Sequence, residues 1–296
     1  MRTKRSPAHW LRFGHRGCAE RTVTEEPKPV PLQTYTSCKR YANVIFYGTL
    51  TERINRTTRA LPLRGMSKII CFGNQKGGTG KTTATCLAAN ALAASPFMRR
   101  VYVCDCDPQQ SIIRRRLADQ RITDQIPPYP AAFKSLAELQ RDIIELDKQH
   151  DVVFLDLPGK LDSSHPDDQH TIANFLQYVD VLFIPFTAGN YALGSSLDYL
   201  RAALKIRQAR SGSPRPLSVA GFFNMAERSL DDKFLQVEIA DLRAMVNIEF
   251  LDARLQRYAL FRNVDTYESL YDPGSPDKAK ANLTTWINDV VKFAAI

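Results

Sequence analysis

Residues 75–83 have the types and spacing best suited to chemistry. They read Gln-Lys-Gly-Gly-Thr-Gly-Lys-Thr-Thr and lie between an apolar run and a helical pattern. Glycines allow a tight turn that directs backbone N–H groups at phosphate oxygens, and a following helix adds its positive N-terminal end. The segment therefore predicts an anion-binding loop. The alternative is a glycine-rich turn with an incidental lysine.

Two side chains of this loop, Lys81 and Thr82, match the needs of a nucleoside triphosphate. A lysine at this position neutralises the β- and γ-phosphates, and the adjacent hydroxyl ligates Mg²⁺. We therefore expect ATP and Mg²⁺ as cofactors. The predicted nucleotide contacts in the loop are Gly77, Gly78, Thr79, Gly80, Lys81, Thr82 and Thr83.

Acidic residues end two further apolar runs. Asp105 and Asp107 follow the second run, and Asp156 closes the third, which has the form of a Walker B element. Ligands of an open parallel sheet bind at the carboxyl ends of its strands, so these side chains should face the nucleotide. Carboxylates there can hold Mg²⁺ through its water shell or position the attacking water. We assign Asp105 and Asp156 to the hydration shell of Mg²⁺; the alternative for the Asp105 and Asp107 pair is capping of the strand end.

The elements that must position these residues follow an alternating pattern from Met66 onward. Short apolar runs alternate with helical stripes, which is typical of βαβ units. Strands are predicted at residues 68–72, 100–104, 152–156, 181–185 and 217–223, with a candidate sixth at 249–253. Apolar stripes with helical spacing lie at residues 84–91, 136–146, 193–204 and 283–291. We predict one α/β domain, residues 66–296, with a doubly wound, mostly parallel sheet in a three-layer P-loop NTPase arrangement.

Charge is distributed unevenly along the 296 residues. Residues 1–65 contain 13 of the 40 Lys and Arg but 4 of the 31 Asp and Glu, which leaves 27 of each sign in residues 66–296. The neutral body excludes a globally basic surface, so any nucleic-acid contact within it must be a local patch. Residues 1–65 show no sustained periodicity and predict a basic, disordered extension. A translation start at Met66 and an organellar transit peptide are the other interpretations.

Composition also bears on location and on metal binding. The sequence has no run of 18 apolar residues and no apolar core of a secretory signal, so we expect a cytoplasmic protein. Its six cysteines form no Cys-x-x-Cys pair, which favours reduced thiols. Cys104 and Cys106 alone supply too few ligands for zinc.

Lys76, at the start of the loop, makes the loop motif more specific than the general phosphate-binding motif. The general motif has a glycine at the position of Gln75. The run Lys-Gly-Gly-Thr-Gly-Lys-Thr resembles the deviant Walker A loop of the ParA/MinD family of ATPases. The resemblance implies that Lys76 reaches the phosphates bound by an opposite subunit, so that a homodimer encloses two nucleotides. A solvated loop cation is the alternative for Lys76.

The resemblance continues at the acidic motifs. Residues 105–109, Asp-Cys-Asp-Pro-Gln, are similar to the family's D-x-D-P-Q motif, which implies that Asp107 orients the nucleophilic water. Residues 156–159 keep one proline of the family's D-x-P-P and depart from it at Gly159. By analogy, residues 160–164 should form a switch loop near the γ-phosphate.

Further along the chain, the resemblance covers two more strand ends. Residues 184–186 and 191–193 are similar to a strand of the family and the helix after it. Residues 221–225, Gly-Phe-Phe-Asn-Met, resemble the strand end where the family binds adenine. This likeness implies an adenine contact for Asn224, with an ordinary turn asparagine as the alternative.

The Asp107-Pro108-Gln109 motif favours the ParA partition branch of this family. That branch implies an ATP-dependent dimer, non-specific DNA binding, association with the nucleoid, and a ParB-like or cargo partner that stimulates slow hydrolysis. No arginine finger is evident in the sequence, which fits slow unstimulated turnover. Basic residues cluster on and after one predicted helix, and we expect them to contact DNA unless they form only a solvated face. They are Arg201, Lys205, Arg207 and Arg210.

Two alternatives remain for the function. A MinD-like protein would bind membrane through a C-terminal amphipathic helix, but residues 286–296 have Lys292 as their only cation, so packing onto the sheet is expected instead. The other alternative is a nucleotide-switched adaptor for conjugation or other cargo, without affinity for DNA. The sequence identifies neither the cargo nor the partner.

Overall fold

The computed structural model describes residues 66–159, 173–187, 190–226 and 248–296, with only the backbone at 190–195. The predictions for residues 1–65 and for the switch loop at 160–164 lie outside these ranges. The described elements, in chain order, are β1 (Lys68–Phe72), α1 (Lys81–Ala93), β2 (Val101–Asp105), α2 (Ser111–Asp119), β3 (Ala131–Phe133), α3 (Leu136–Gln149), β4 (Val152–Asp156), β5 (Val181–Phe186), α4 (Asn190–Ala209), β6 (Ser218–Ala226), β7 (Glu249–Phe250), β8 (Leu255–Gln256), α5 (Ala259–Arg262) and α6 (Lys278–Ala294).

Strand β1 lies in the middle of a sheet with the order β3-β2-β4-β1-β5-β6-β7, and β8 pairs with β6. Every described strand pairing is parallel. Asp105 and Asp156 are in register at the ends of β2 and β4. The loop after β1 therefore begins beside the strand that carries Asp156, at the carboxyl edge of the sheet.

Helices cover both faces of the sheet because its central strands are apolar on both sides. Ile70 and Phe72 of β1 join a core cluster with residues of α1 and α6, whereas Ile69 and Cys71 join a second cluster with residues of α3 and α4. A strand buried on both faces is typical of parallel sheets with helical crossovers. The predicted three-layer α/β/α fold is confirmed.

The C-terminal helix α6 packs onto the sheet, as the sequence predicts. Trp286 is fully buried, and its ring centroid lies 5.6 Å from that of Phe72 and 5.3 Å from that of Phe222. Asp277 caps the helix by accepting hydrogen bonds from the N–H groups of residues 279 and 280. The apolar face of α6 is thus part of the core. None of the helices in the described ranges has both the length and the apolar character needed to span a bilayer.

Helix α2, which follows the Asp107 segment, is held by a buried polar network. The guanidinium of Arg116 donates to Thr266 Oγ1 and to the carbonyl of Tyr129, at 2.8 Å each, and lies 4.7 Å from the centroid of the Tyr129 ring. Asp119 accepts hydrogen bonds from the N–H and the hydroxyl of Thr266, both at 2.9 Å. These contacts fix α2 against the segment before α6, and the turn at Asp107 is attached to a rigid support.

Candidate functional site

The glycine loop ends at the first turn of α1. Gly80 is the N-cap of this helix with φ +83°, and Gly78 has φ +76°. Both values lie in the left-handed region, which favours glycine. Since the cap has no side chain, the first N–H groups of α1 are available to an anion. The predicted anion-binding loop therefore has the geometry that its sequence requires.

Gly78 and Gly80 differ in the space that surrounds them. A Cβ on Gly80 would lie 2.4 Å from Asn224 Nδ2, whereas a Cβ on Gly78 would meet nothing within 4 Å. Asn224 is buried, and its Nδ2 donates to the carbonyl of Thr79 at 2.7 Å. The end of β6 therefore closes over the glycine loop at the position of Gly80.

Lys81 points into the loop that precedes it. Its Nζ donates to the carbonyl of Lys76 at 3.3 Å, and its side chain is buried. Burial lowers the pKa of Lys81, and the nearby Asp156 carboxylate opposes that shift. A Cβ at Gly159, where the sequence departs from the D-x-P-P pattern, would lie 2.6 Å from this Nζ. The ammonium therefore occupies the centre of the loop, where phosphate oxygens would lie.

Thr82 and Asp156 form the part of the site that can hold a divalent cation. Thr82 Oγ1 donates to Asp156 Oδ2 at 2.8 Å. Asp156 is fully buried, and its Oδ1 has no hydrogen-bond partner among the described residues. Burial raises the pKa of Asp156 to about 7, although the Thr82 hydrogen bond lowers it.

The donor set at Asp156 fits hydrated Mg²⁺. A buried carboxylate oxygen without a partner is unusual, and a metal-bound water would satisfy it. Within the described ranges, no three His, Cys, Asp or Glu side chains come close enough to bind a metal ion directly. A cation at this place would keep much of its water shell, and direct ligation by Thr82 stays a prediction.

Asp105 is buried at the end of β2, where it caps helix α2. Its Oδ2 accepts hydrogen bonds from the N–H groups of Ile112 and Ile113 at 3.0 and 3.2 Å, and its Oδ1 accepts one from Asp107 N–H at 3.3 Å. Burial raises the pKa of Asp105, and these backbone donors oppose the shift. Asp105 therefore caps the start of helix α2, which differs from the strand-end capping left as the alternative, and its magnesium role stays a prediction.

Asp107 lies in a tight turn with one carboxylate oxygen available. Its Oδ1 accepts a hydrogen bond from Gln109 N–H at 2.8 Å. The described residues provide no hydrogen bond to its Oδ2. Gln110, which begins α2, has φ +51°, a value that residues other than glycine rarely adopt. Such conformations concentrate at functional sites, where the surrounding structure maintains them.

A cavity of about 280 Å³ opens beside the glycine loop. Its lining residues come from α1, from the ends of β6 and β8, and from α5. They are Thr83, Asn224, Met225, Leu255, Gln256, Arg257, Tyr258, Phe261 and Arg262. The position of Asn224 in this wall agrees with its predicted contact to a nucleobase, which stays a prediction. The aromatic residues Tyr258 and Phe261, whose ring centroids lie 5.4 Å apart, belong to no motif that the sequence reveals.

The four basic residues predicted to contact DNA, three on α4 and Arg210 directly after it, differ in their availability. Arg201 and Lys205 are exposed, and Arg201 pairs with Asp198 at 2.8 Å in a fully solvated geometry. Arg207 is half-buried and has contacts of its own. Arg210 donates to the carbonyls of Leu176, Val179 and Arg215, so its guanidinium holds the end of the helix. Three of the predicted DNA contacts therefore lie on α4, and two of these, Arg201 and Lys205, are exposed to solvent.

The four described cysteines, Cys71, Cys86, Cys104 and Cys106, are free and buried. Burial raises the pKa of each thiol. The four form no disulfide with one another, and the expectation of reduced thiols stays a prediction. They act as small core residues rather than as nucleophiles.

Comparisons with known proteins agree with this geometry. A family model described as an AAA domain matches residues 67–126, which include the glycine loop, Asp105 and Asp107. No curated protein sequence matches the chain.

Solved structures with the same fold include two partition or division proteins and an ATP complex. A plasmid partition protein from Borrelia burgdorferi is 17% identical over 77% of this chain and 99% of its own, with a TM-score of 0.53. The MinD cell division protein of Aquifex aeolicus is 13% identical over 76% and 98%, with a TM-score of 0.51. A variant of Cyanothece McdA in complex with ATP is 15% identical over 76% and 97%, with a TM-score of 0.54. These likenesses confirm the predicted α/β fold, which this chain shares with the partition and cell division proteins.

Proposed function

We propose that this chain is an ATPase that binds ATP with Mg²⁺, forms a homodimer when ATP is bound, and hydrolyses ATP slowly unless a partner stimulates it. The observation that carries the proposal is the hydrogen bond of Thr82 to the buried Asp156, whose other carboxylate oxygen has no partner among the described residues, next to the glycine loop that holds the Lys81 ammonium. A McdA structure with this fold is an ATP complex, which supports the choice of nucleotide.

The triphosphate would bind along the loop at residues 77–83. Backbone N–H groups and the Lys81 ammonium would bind its oxygens. Lys81 Nζ, which donates to the carbonyl of Lys76, would leave that carbonyl to reach the phosphate. Thr82 would ligate Mg²⁺ directly, and Asp156 and Asp105 would hold it through water. When bound, Mg²⁺ supplies positive charge at the phosphate oxygens. The base would enter the cavity beside Asn224.

Hydrolysis needs a water aligned with the γ-phosphorus. Asp107 has one carboxylate oxygen that no described residue engages, so it can accept a hydrogen bond from that water. Attack forms a new P–O bond and breaks the bond to the β-γ bridging oxygen, releasing ADP and phosphate. The protein's contribution is the position of Asp107 and the positive charge of Lys81.

Dimerisation is assigned to Lys76. Its side chain is half-buried at the start of the loop, and no described residue forms an ion pair with its ammonium. The ammonium is therefore available to the phosphates of a nucleotide bound by a second copy of the chain. If Lys76→Ala still forms dimers in response to ATP, this assignment is wrong.

We further propose that the ATP-bound dimer is a cytoplasmic, nucleoid-associated partition protein that binds DNA without sequence preference and works with a ParB-like or cargo partner. Exposed Arg201 and Lys205 on α4 support a local basic patch on an otherwise neutral body. Arg207 lies on the same helix. Arg210 is the least available of the four, because its guanidinium is used by backbone carbonyls.

Retention of the protein on non-specific DNA with ATP, with ADP and without nucleotide tests this proposal. We expect retention with ATP only. The double variant Arg201→Ala/Lys205→Ala should reduce the slope of log K against log salt concentration by about 2 per subunit, since each lost phosphate contact removes roughly 0.9 from that slope.

The matched control is Arg141→Ala/Lys148→Ala, which removes the same charge from exposed positions of α3. Equal effects of the two double variants would show that the α4 patch is not the contact. ATP-dependent dimers without any DNA retention would favour the adaptor alternative instead.

A further inference from the structure

Asn74, between β1 and the glycine loop, connects three elements through one buried carboxamide. Its Nδ2 donates to the carbonyl of Pro185 at the end of β5 and to Ser196 Oγ in α4, both at 2.8 Å. Its Oδ1 accepts a hydrogen bond from Lys76 N–H at 3.1 Å. The side chain is only 1% exposed. All of its polar groups are therefore used to join the loop to β5 and α4.

The peptide groups of Lys76 are held on both sides. Asn74 binds the N–H, and the carbonyl accepts hydrogen bonds from Lys81 Nζ at 3.3 Å and Thr79 Oγ1 at 3.2 Å. The Lys76 ammonium, in contrast, has no ion-pair partner among the described residues. These backbone contacts consequently fix the Cα–Cβ bond from which the Lys76 side chain extends.

The junction that anchors Asn74 has little room for movement. A Cβ on Gly73 would lie 2.3 Å from the hydroxyl of Tyr199 in α4, and Gly73 N–H donates to the carbonyl of Phe183 at 2.9 Å. Closely packed interiors transmit displacement rather than absorb it. The position of Asn74 is therefore fixed by β5 and α4 together.

We propose that Asn74 is a positioning residue for Lys76, which holds the Lys76 peptide so that the ammonium is directed to the nucleotide of a second copy of this chain. This inference rests on the dimer in the proposed function. A carboxamide suits the position because it offers two N–H donors and an acceptor together. Aspartate would lose the donors and bury a charge, and leucine would leave three buried groups unsatisfied.

The test compares two affinities in full-length protein, with ATPγS as a slowly hydrolysed nucleotide. The first is ATPγS affinity at protein concentrations too low for dimers, and the second is the dimer dissociation constant at saturating ATPγS. We expect Asn74→Ala to weaken the dimer about tenfold while ATPγS affinity stays within about threefold, because the hydrogen bond lost in the loop is the one to Lys76 N–H and residues 77–83 keep their own contacts.

Asn90 provides a matched control. It is 2% exposed, donates to the carbonyls of Asp265 and Glu268, and accepts from the Tyr129 hydroxyl, so it also makes three hydrogen bonds. Asn90→Ala should lower thermal stability as much as Asn74→Ala does, yet leave the dimer dissociation constant within about threefold. Equal weakening of the dimer by both variants would reduce Asn74 to a general structural role and overturn the inference.

A double-mutant cycle with Lys76→Ala separates this inference from the proposed function. If Asn74 acts through Lys76, Asn74→Ala should change the dimer dissociation constant by less than about threefold in the Lys76→Ala background. The same tenfold loss in both backgrounds would refute positioning through Lys76. A weakened Lys76→Ala dimer beside an unchanged Asn74→Ala dimer overturns only the inference, whereas an unchanged Lys76→Ala dimer overturns the proposed function as well.

Ser196→Ala covers the case in which Asn74→Ala does not fold or the Lys76→Ala dimer is too weak to measure. It removes one anchor of the carboxamide and leaves the loop sequence intact. We expect the dimer dissociation constant to rise about threefold to fivefold at unchanged ATPγS affinity. A dimer of wild-type strength in Ser196→Ala would contradict the inference.

Discussion

Replacing the glycines of the loop with alanine, one at a time, separates backbone strain from steric exclusion. Gly77 has neither, since its added Cβ meets nothing within 4 Å and its φ lies outside the left-handed region. Gly78 has φ +76° with open space around it. Gly80 has φ +83°, and its added Cβ would lie 2.4 Å from Asn224 Nδ2. Substitution by alanine is therefore expected to destabilise the protein least at Gly77, more at Gly78 and most at Gly80.

The expected losses in unfolding free energy follow from these differences. Gly77→Ala should stay within about 0.5 kcal/mol of wild type. Gly78→Ala should cost about 1–2 kcal/mol, the penalty of a left-handed conformation for an L-residue. Gly80→Ala carries the same penalty and also displaces Asn224 from the carbonyl of Thr79, which adds about 1–3 kcal/mol for buried groups left unsatisfied.

Urea unfolding of the full-length chain without nucleotide measures the series, because phosphate contacts then play no part. The slopes should agree among the variants, so that shifts in midpoint report stability alone. In an Asn224→Ala background, Gly80→Ala should lose only the part due to strain. Equal losses for Gly78→Ala and Gly80→Ala in the wild-type background would refute the steric reasoning, and a costly Gly77→Ala would refute the whole series.

Three further predictions concern α4, α6 and the turn after β2. Arg210→Ala should lower the unfolding free energy by about 1.5–3 kcal/mol because its charged donors bind three carbonyls, whereas Arg201→Ala should stay within about 0.5 kcal/mol; equal losses in urea unfolding would contradict this. Trp286→Ala should cost about 3–5 kcal/mol in the same assay, and a loss below about 1 kcal/mol would show that α6 is not part of the core. Asp107→Ala should reduce ATP turnover at least about a hundredfold, measured as phosphate release, while ATP-dependent dimers persist in sedimentation; normal turnover would remove Asp107 from the mechanism.

The central strands could be predicted because each is an apolar run buried on both faces. Predicted residues 68–72 and 152–156 coincide with β1 and β4. Helix α2 was not predicted, and its inward-facing residues explain why: they are Ile112, Arg116 and Asp119, so its buried stripe is mostly polar. Periodicity of apolar residues cannot reveal a helix whose inner face is a hydrogen-bond network.

The candidate site likewise contains residues that could be predicted from the sequence and residues that could not. The loop, Thr82 and Asp156 could be proposed because their chemistry is local to short motifs. Asn74 could not, since its partners Pro185 and Ser196 lie 111 and 122 residues further along the chain. Only the fold brings such groups together.

The central place of β1 in an all-parallel sheet has a consequence for synthesis. Its two neighbours are β4 and β5, and β5 ends at Phe186. Ribosomes add about 5–20 residues per second, so roughly 6–23 s pass between the translation of β1 and that of its second neighbour. Throughout that interval β1, which has a neighbour on each side in the folded protein, has an unpaired edge. The nascent chain should therefore bind chaperones early and release them only after β5 has emerged.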